Sequence, residues 1–212
     1  MAEAVERAGL APGDRLVCLG DSITADPHGY VAMVRQVLAL SRPDVEVINA
    51  GRPGSTAADM AAGFGREVSA HDPTWVSISI GGNDAVGRVE PAQYGASVQA
   101  MVEAATQANV RVALCTPTPF EPHFTGAPVD TVNALIAQYA AWVERVAKKR
   151  HLLLVPMYKA FELVHEGSGP DDPIRLTHDG VHPSPTGRYL MGLTFLAAFG
   201  VPLDAKAGVQ SR

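Results

Sequence analysis

A serine directly follows a short apolar segment near the beginning of the chain. Residues 16–19 are Leu-Val-Cys-Leu, and Gly20, Asp21 and Ser22 come next. The apolar segment has the length and composition of a buried parallel strand, and open α/β sheets bind ligands at the carboxyl ends of their strands. A serine hydroxyl becomes a nucleophile there only if a base takes its proton and donors stabilise the resulting oxyanion. Ser22 therefore requires a histidine, an acid and hydrogen-bond donors from elsewhere in the chain.

A histidine and an acid at a suitable spacing occur near the C-terminus, in the segment Asp179-Gly-Val-His182. Across this spacing the carboxylate can reach Nδ1 of the imidazole while Nε2 faces a serine, which fixes the tautomer that a general base needs. His178 is the alternative base, but neighbouring side chains on an extended segment point to opposite sides. The sequence therefore predicts a catalytic triad of Ser22, His182 and Asp179.

Two further loops could supply donors to the oxyanion. Gly51 follows the second predicted strand, and Asn83 lies in a Gly-Gly-Asn-Asp turn after the third. Because the carboxyl ends of parallel strands meet at one edge of a sheet, these loops should lie beside Ser22. We expect the N–H groups of Ser22 and Gly51 and the side-chain amide of Asn83 to form the oxyanion hole. Each such donor typically lowers the barrier by ~3 kcal/mol.

These blocks together resemble the four blocks of the GDSL esterases, which form the SGNH hydrolase family. The matching blocks are Gly20-Asp21-Ser22-Ile23, Gly51 after Asn49, Gly81-Gly82-Asn83-Asp84 and Asp179-x-x-His182. The resemblance covers about residues 15–199 and implies an α/β/α sandwich, a serine nucleophile, no metal, and hydrolysis of esters or thioesters. One departure is the segment Asp-Pro-His at 26–28, where many members have a glycine-containing loop.

Strands and helices alternate along the chain between these loops. Strands are predicted at 16–19, 45–49, 75–80, 110–115 and 152–155, and helices at 30–41, 56–66, 91–107, 131–150, 158–165 and 185–199. Asp130 or Asn133 is expected near the cap of the fourth of these helices, and residues 1–14 are expected to form a polar arm or short helix. Such alternation predicts a parallel sheet covered on both faces. The expected fold is therefore a three-layer α/β/α sandwich with a flavodoxin-like, five-stranded sheet in the order 2-1-3-4-5, in one domain spanning 1–212.

Composition narrows the classes of function. The chain has 212 residues, 47% hydrophobic content and a net charge of -5 without a long basic run, a distribution that argues against nucleic-acid binding. No secretory leader pattern and no apolar run of ~18 residues occur, so we expect a cytoplasmic protein that does not span a membrane. Cys18 and Cys115 lie in predicted strands and are expected to be buried free thiols. No zinc-ligand spacing is present, and no metal or other cofactor is expected.

The loop of residues 116–130 bears on the substrate. It contains four prolines and follows the fourth strand, and we expect Phe120, His123 and Phe124, with His28 across the site, to bind a small-molecule ester. A long acyl chain would need a continuous apolar groove, but the aromatic residues here are few and alternate with polar side chains. The sequence therefore favours short acyl or O-acetyl esters over long chains. Acyl thioesters and lysophospholipids are alternative substrates. A non-catalytic phosphate- or nucleotide-binding module is the alternative from another class, although both glycine-rich phosphate-binding motifs are missing.

Overall fold

A computed structural model describes residues 9–168 and 174–203 and contains a parallel sheet at its centre. Its strands are β1 (Arg15–Gly20), β2 (Glu46–Gly51), β3 (Trp75–Ser79), β4 (Arg111–Cys115) and β5 (Leu153–Val155), in the spatial order β2-β1-β3-β4-β5. The register places Gly20 of β1 between Gly51 of β2 and Ser79 of β3. Three strands therefore end at one edge, and the predicted sheet order is confirmed.

Helices cover the sheet on both faces. The described residues form α1 (Ser22–Ala25), α2 (Tyr30–Ser41), α3 (Ala57–Glu67), α4 (Gly82–Val86), α5 (Pro91–Gln107), α6 (Val129–Arg150), α7 (Met157–Gly167) and α8 (Pro185–Ala198), with a single 3₁₀ turn at Ser69–His71. The six longer helices begin and end within about two residues of the predicted ones, as is usual for helix boundaries. Helices α1 and α4 follow the nucleophile block and the Asn83 block directly, where the sequence analysis expected loops. Segments this short show no apolar period from which a helix could be predicted.

Alternate side chains of β1 enter two separate cores, as expected for a strand that is covered on both sides. Val17 and Leu19 pack in the core beneath α3, α5 and α6, whereas Leu16 and Cys18 pack in the core beneath α2, α7 and α8. Cys18 and Cys115 are both buried free thiols, as predicted. None of the helices in the described part of the chain is long and apolar enough to cross a membrane.

Local side-chain chemistry determines where two helices begin. The Thr56 side chain accepts the N–H of Asp59 and the Asp59 side chain accepts the N–H of Thr56, so a reciprocal capping box starts α3. Ser184 caps α8 by accepting the N–H of Gly187, and Pro185 occupies the first turn, where its missing N–H costs nothing. Both helices therefore start at a fixed residue, close to the loops that carry Gly51 and His182.

Asp130 lies in the first turn of α6, near its cap as expected, but neither Asp130 nor Asn133 caps the helix. The helix begins at Val129, after Pro128, and has no side-chain cap. Asn133 instead uses its amide to accept the N–H of Phe120 and to donate to the Phe120 carbonyl, both at 2.8 Å. This pair of bonds ties the loop after β4 to α6. The arm expected at residues 1–14 lies largely outside the described residues.

Candidate active site

Ser22 is the first residue of α1, directly beyond the end of β1. A Cβ atom on Gly20 would lie only 2.5 Å from the Ser79 carbonyl oxygen, so only glycine fits at the end of β1. The Asp21 carboxylate caps α1 by accepting the N–H of Ile23 at 3.0 Å. The strand end and the cap together fix the direction of the Ser22 side chain.

The three residues of the predicted triad lie in one hydrogen-bonded row. Ser22 Oγ is 2.9 Å from His182 Nε2, and His182 Nδ1 is 2.6 Å from Asp179 Oδ2. The other carboxylate oxygen of Asp179 accepts the backbone N–H groups of Val181 and His182 at 2.9 and 2.7 Å. The fold therefore brings a serine from the first strand end next to a histidine and an aspartate from the C-terminal segment.

Electrostatics favour a single proton arrangement in this row. Partial burial acts to raise the pKa of Asp179, but the hydrogen bonds from His182 and from the backbone N–H groups outweigh it and lower the pKa to about 2. Asp179 is therefore a carboxylate at neutral pH. An ionised acceptor at Nδ1 places the imidazole proton on that nitrogen and leaves the lone pair of Nε2 directed at Ser22.

His178, the alternative base, lies beside the row. Its Nε2 is 3.8 Å from Asp179 Oδ2, and its ring stacks on that of His182 with 5.9 Å between centroids. Ligand atoms of His178, Asp179 and His182 all lie within 4.8 Å of one another. Two imidazoles and a carboxylate suit zinc, but a metal there would compete for the Asp179 and His182 side chains that form the row.

Two buried aspartates support the loops of the site. Burial raises the pKa of Asp21 to about 6, although the N–H of Ile23 and the nearby His182 act in the opposite direction. Burial likewise raises the pKa of Asp84 to about 6, and its carboxylate accepts the N–H of Ala57, the first residue of α3, at 3.0 Å. Asp84 thereby joins α4, which carries Asn83, to the start of α3.

The Asn83 side chain lies in the first turn of α4. One N–H of its amide donates to the Ser55 carbonyl at 2.9 Å. An amide has two N–H donors, so the second remains for a ligand. Ser22 has its own backbone N–H at the start of α1, and the described residues offer that group no hydrogen-bond acceptor.

Gly51 lies close to α1, as its lack of a side chain allows. A Cβ atom on it would be 2.6 Å from the Ala25 Cα. Its N–H donates to Asn49 Oδ1 at 2.9 Å, and the Asn49 amide donates to the Thr24 carbonyl at 2.6 Å. The predicted donor of Gly51 therefore already has a partner in the chain.

Gly54, in the same loop as Gly51, is a residue that was not singled out from the sequence. It has a φ of 77° in the turn from Arg52 to Ser55, which the bond from the Ser55 N–H to the Arg52 carbonyl closes at 3.3 Å. Its own N–H has no acceptor among the described residues, and the next residue, Ser55, holds the Asn83 amide. The signal was present in the sequence, since Gly54 is the second glycine of Gly51-Arg-Pro-Gly54.

Two of the four expected substrate-binding residues, His123 and Phe124, contact the segment that carries His182, and Phe120 packs against Phe124. Phe120 is buried and contacts Phe124 edge to face, with 4.9 Å between ring centroids. The Phe124 backbone approaches Gly180 so closely that a Cβ atom there would lie 2.5 Å from the Phe124 Cα. His123 Nε2 lies 3.4 Å from Thr177 Oγ1. The loop after β4 thus supports the segment from Thr177 to Gly180.

His28, the fourth expected residue, lies in the loop after α1, apart from Phe120. It is exposed and lines a surface cavity of about 290 Å³ together with Met33, Arg188 and Tyr189. Phe120 lines a different cavity, beside Asp21. The structure therefore does not place His28 and Phe120 in the same cavity.

Comparisons with known proteins match this chain to one protein family and to two esterases. The profile of the GDSL-like Lipase/Acylhydrolase family matches residues 18–190. An acetylxylan esterase of Geobacillus stearothermophilus is 29% identical, over 90% of this chain and 96% of its own. Esterase TesA of Pseudomonas aeruginosa is 28% identical over 82% of each chain.

Solved structures show the same likeness in three dimensions. The crystal structure of Axe2, an acetylxylan esterase from Geobacillus stearothermophilus, has a TM-score of 0.79 at 30% identity and covers 92% of this chain and 96% of its own. Further structures of Axe2 are catalytic mutants at a serine, an aspartate and a histidine. LAE5, an alpha/beta hydrolase enzyme from the metagenome of Lake Arreo, also has a TM-score of 0.79, at 28% identity, and covers 91% of this chain and 97% of its own.

Proposed function

Because the chain belongs to the GDSL-like lipase/acylhydrolase family and is a serine hydrolase of carboxylic esters, we propose that Ser22 is its nucleophile, His182 its general base and Asp179 the acid that orients the base. The observation that carries this assignment is the row from Ser22 Oγ to His182 Nε2 at 2.9 Å and from His182 Nδ1 to Asp179 Oδ2 at 2.6 Å. This row is the minimum that an activated serine needs.

The chemistry proceeds through an acyl-enzyme. His182 Nε2 takes the proton of Ser22 Oγ as the oxygen attacks the ester carbonyl, and the Asp179 carboxylate stabilises the imidazolium. The tetrahedral intermediate collapses when the imidazolium gives that proton to the leaving alcohol, which departs and leaves the acyl group on Ser22. Water then attacks the acyl-enzyme, again with His182 as base, and releases the carboxylic acid and free Ser22.

We assign two donors of the oxyanion hole to the Ser22 N–H and to the second N–H of the Asn83 amide. The loop of residues 51–54 supplies the third. Gly51 can donate only after its N–H leaves Asn49 Oδ1, whereas the Gly54 N–H is free of such a partner within the described residues. Three donors already directed at the oxygen would stabilise its negative charge without reorganisation during the reaction.

The preferred substrates in this proposal are short acyl esters, and O-acetyl esters of a polar alcohol such as a sugar in particular. The 29% identity to an acetylxylan esterase over 90% of this chain supports this choice. The surface beyond α1 is also polar, because Asp26 pairs with Arg188 at 2.8 Å and His28 is exposed next to them. A polar rim suits a hydroxylated leaving group better than a fatty acyl chain.

The test compares wild type with Ser22→Ala on p-nitrophenyl esters of increasing acyl length, on an acetylated xylooligosaccharide and on an acyl thioester. We expect Ser22→Ala to lose at least about a thousandfold in kcat, as removal of a catalytic nucleophile does in other serine hydrolases, without a change in melting temperature. Ser69→Ala, at an exposed serine in the 3₁₀ turn before β3, is the matched control. A Ser22→Ala variant with activity near wild type would remove Ser22 from the mechanism. A steady rise of kcat/KM to the longest acyl chain would reject the short-acyl preference and favour a lysophospholipase.

A further inference from the structure

Glu121 is a buried acid that the proposed chemistry does not use. It lies in the loop between β4 and α6, and only 4% of its surface is exposed. Burial of a charge is costly unless hydrogen bonds compensate it. This carboxylate receives such bonds on both oxygens. Oε1 accepts the Leu176 N–H at 3.0 Å and lies 3.0 Å from His165 Nε2, and Oε2 accepts the Thr177 N–H at 2.7 Å and the Thr177 hydroxyl.

The segment bound by Glu121 leads directly to the proposed acid and base. Thr177 precedes Asp179 by two residues, and backbone hydrogen bonds join the two ends of the segment 176–184. The His178 N–H donates to the His182 carbonyl at 3.0 Å, and the Ser184 N–H donates to the Leu176 carbonyl at 2.8 Å. A shift of Leu176 and Thr177 therefore moves His182 as well.

Glu121 contacts this closed segment at a second point through its backbone. Its N–H donates to the Gly180 carbonyl at 2.9 Å, between Asp179 and His182. One residue thus holds the segment both before and after Asp179. Its side chain does not reach the row of Ser22, His182 and Asp179 itself.

The site is built for a carboxylate and not for an amide. Burial acts to raise the pKa of Glu121, but the bonds from Thr177, Leu176 and His165 outweigh it and lower the pKa, so the group is ionised at neutral pH. A glutamine would place its NH₂ at one of the two oxygen positions. Each of those positions faces a backbone N–H, of Leu176 or of Thr177. Whichever way the amide turned, its NH₂ group and one of these backbone N–H groups would face each other in a buried site, and neither could accept a hydrogen bond from the other.

We propose that Glu121 is a positioning residue for ester hydrolysis, whose carboxylate and backbone N–H hold residues 176–184 where His182 Nε2 meets Ser22 Oγ. The inference rests on the proposed function of Ser22 and His182. Misplacement of a catalytic group by about 1 Å costs about 100-fold in rate. Glu121→Gln should therefore lower kcat by about 10–100-fold and leave KM within about threefold, because Glu121 does not touch the substrate.

The experiment measures kcat and KM for p-nitrophenyl acetate and the rate at which a fluorophosphonate labels Ser22, well below the melting temperature of each variant. Labelling is normalised to folded protein by circular dichroism, and it should fall together with kcat in Glu121→Gln. Glu166→Gln, at a glutamate of α7 whose side chain is 65% exposed, should match wild type. His165→Gln should also stay close to wild type, because a glutamine amide can donate to Oε1 in place of the imidazole.

A folded Glu121→Gln enzyme with kcat and labelling rate near wild type would overturn the proposal, and so would a loss of activity explained entirely by a smaller folded fraction. If Glu121→Gln does not fold, Thr177→Val decides, since it removes the hydroxyl donor to Oε2 but keeps the backbone N–H. A several-fold fall of its kcat at constant KM supports the positioning role, and an unchanged kcat refutes it. Activity retained in Glu121→Gln but lost in Ser22→Ala rejects the positioning role alone, whereas activity retained in both rejects the proposed function and this role with it.

Discussion

Replacement of Asp179 by asparagine tests whether this acid sets the tautomer of His182. Asp179 Oδ1 accepts two backbone N–H groups, of Val181 and His182, and Oδ2 accepts the imidazole at 2.6 Å. In Asp179→Asn the amide oxygen must stay with the two N–H groups, because they can only donate. The NH₂ group therefore faces Nδ1, which can accept it only without a proton. The proton then moves to Nε2, and His182 loses the lone pair that would take the proton of Ser22.

The expected loss is about 10⁴-fold in kcat, the size found when a serine protease triad is forced into the wrong tautomer. This equals about 5.5 kcal/mol of barrier. The fold should survive, because the amide oxygen keeps the two backbone bonds that shape the turn from Asp179 to His182. Asp179→Ala loses those bonds as well and should both inactivate the enzyme and lower its melting temperature.

The assay compares kcat for p-nitrophenyl acetate and thermal melting for wild type, Asp179→Asn and Asp179→Ala. Asp179→Asn that retains more than about a tenth of the wild-type kcat would refute the argument, since a wrong tautomer cannot serve as base. Equal melting temperatures for the Asn and Ala variants would contradict the structural role assigned to Oδ1. Because the pKa of Asp179 is about 2 in the wild type, its protonation should lower activity only below the pH range of ordinary assays.

Two further variants concern α4. Asn83→Ala should lower kcat by about 10²–10³-fold with little change in KM, because its amide is assigned to the oxyanion and not to the ground-state ester, and a larger effect on KM than on kcat would reject that role. Asp84→Asn should grow more stable relative to wild type as pH rises. The folded-state pKa of Asp84 lies at about 6, above its ordinary value of 3.8, so its contribution to stability is present below pH 3.8 and is lost as pH rises through about 6. The difference in unfolding free energy from urea titrations should change by about 3 kcal/mol between acid and neutral pH. Asp59→Asn should show the opposite trend, because the bonds from Thr56 lower the pKa of Asp59, and a flat difference for Asp84→Asn would contradict the argument.

The sequence predicted the sheet because apolar segments of strand length alternate with helical periods, and these patterns depend on local residue order alone. The order of the strands followed from the way in which such units wind. Helices α1 and α4 were not predicted, since four or five residues show no period and depend on the preceding strand end for their start. The expected side-chain cap of α6 is not formed, for a different reason. Asn133 has a partner 13 residues away, Phe120, and this partner competes with the local cap.

The site residues also differ in how well their roles could be predicted from the sequence. Ser22, Asn83, Asp179 and His182 could be selected from the sequence because their chemistry demands particular residue types at particular places in the chain. The expected roles of Phe120 and Phe124 rested only on their place in a loop beyond β4. The structure shows Phe120 in the core and Phe124 against Gly180, contacts that depend on where a distant segment folds back.

The two halves of the site are held by different physical means. Ser22 and Asn83 lie in the first turns of short helices that closely follow β1 and β3, so the ladder of the sheet positions them. His182 and Asp179 come after α7, no strand directly precedes them among residues 174–178, and their segment is held by the carboxylate and the backbone N–H of Glu121. Glu121 does so across 56 residues of sequence, with the Thr177 N–H at 2.7 Å, and its buried charge makes that contact specific for an acid. In the proposed mechanism, proton transfer between Ser22 and His182 also depends on the packing of the loop after β4, and variants in that loop should change kcat before they change KM.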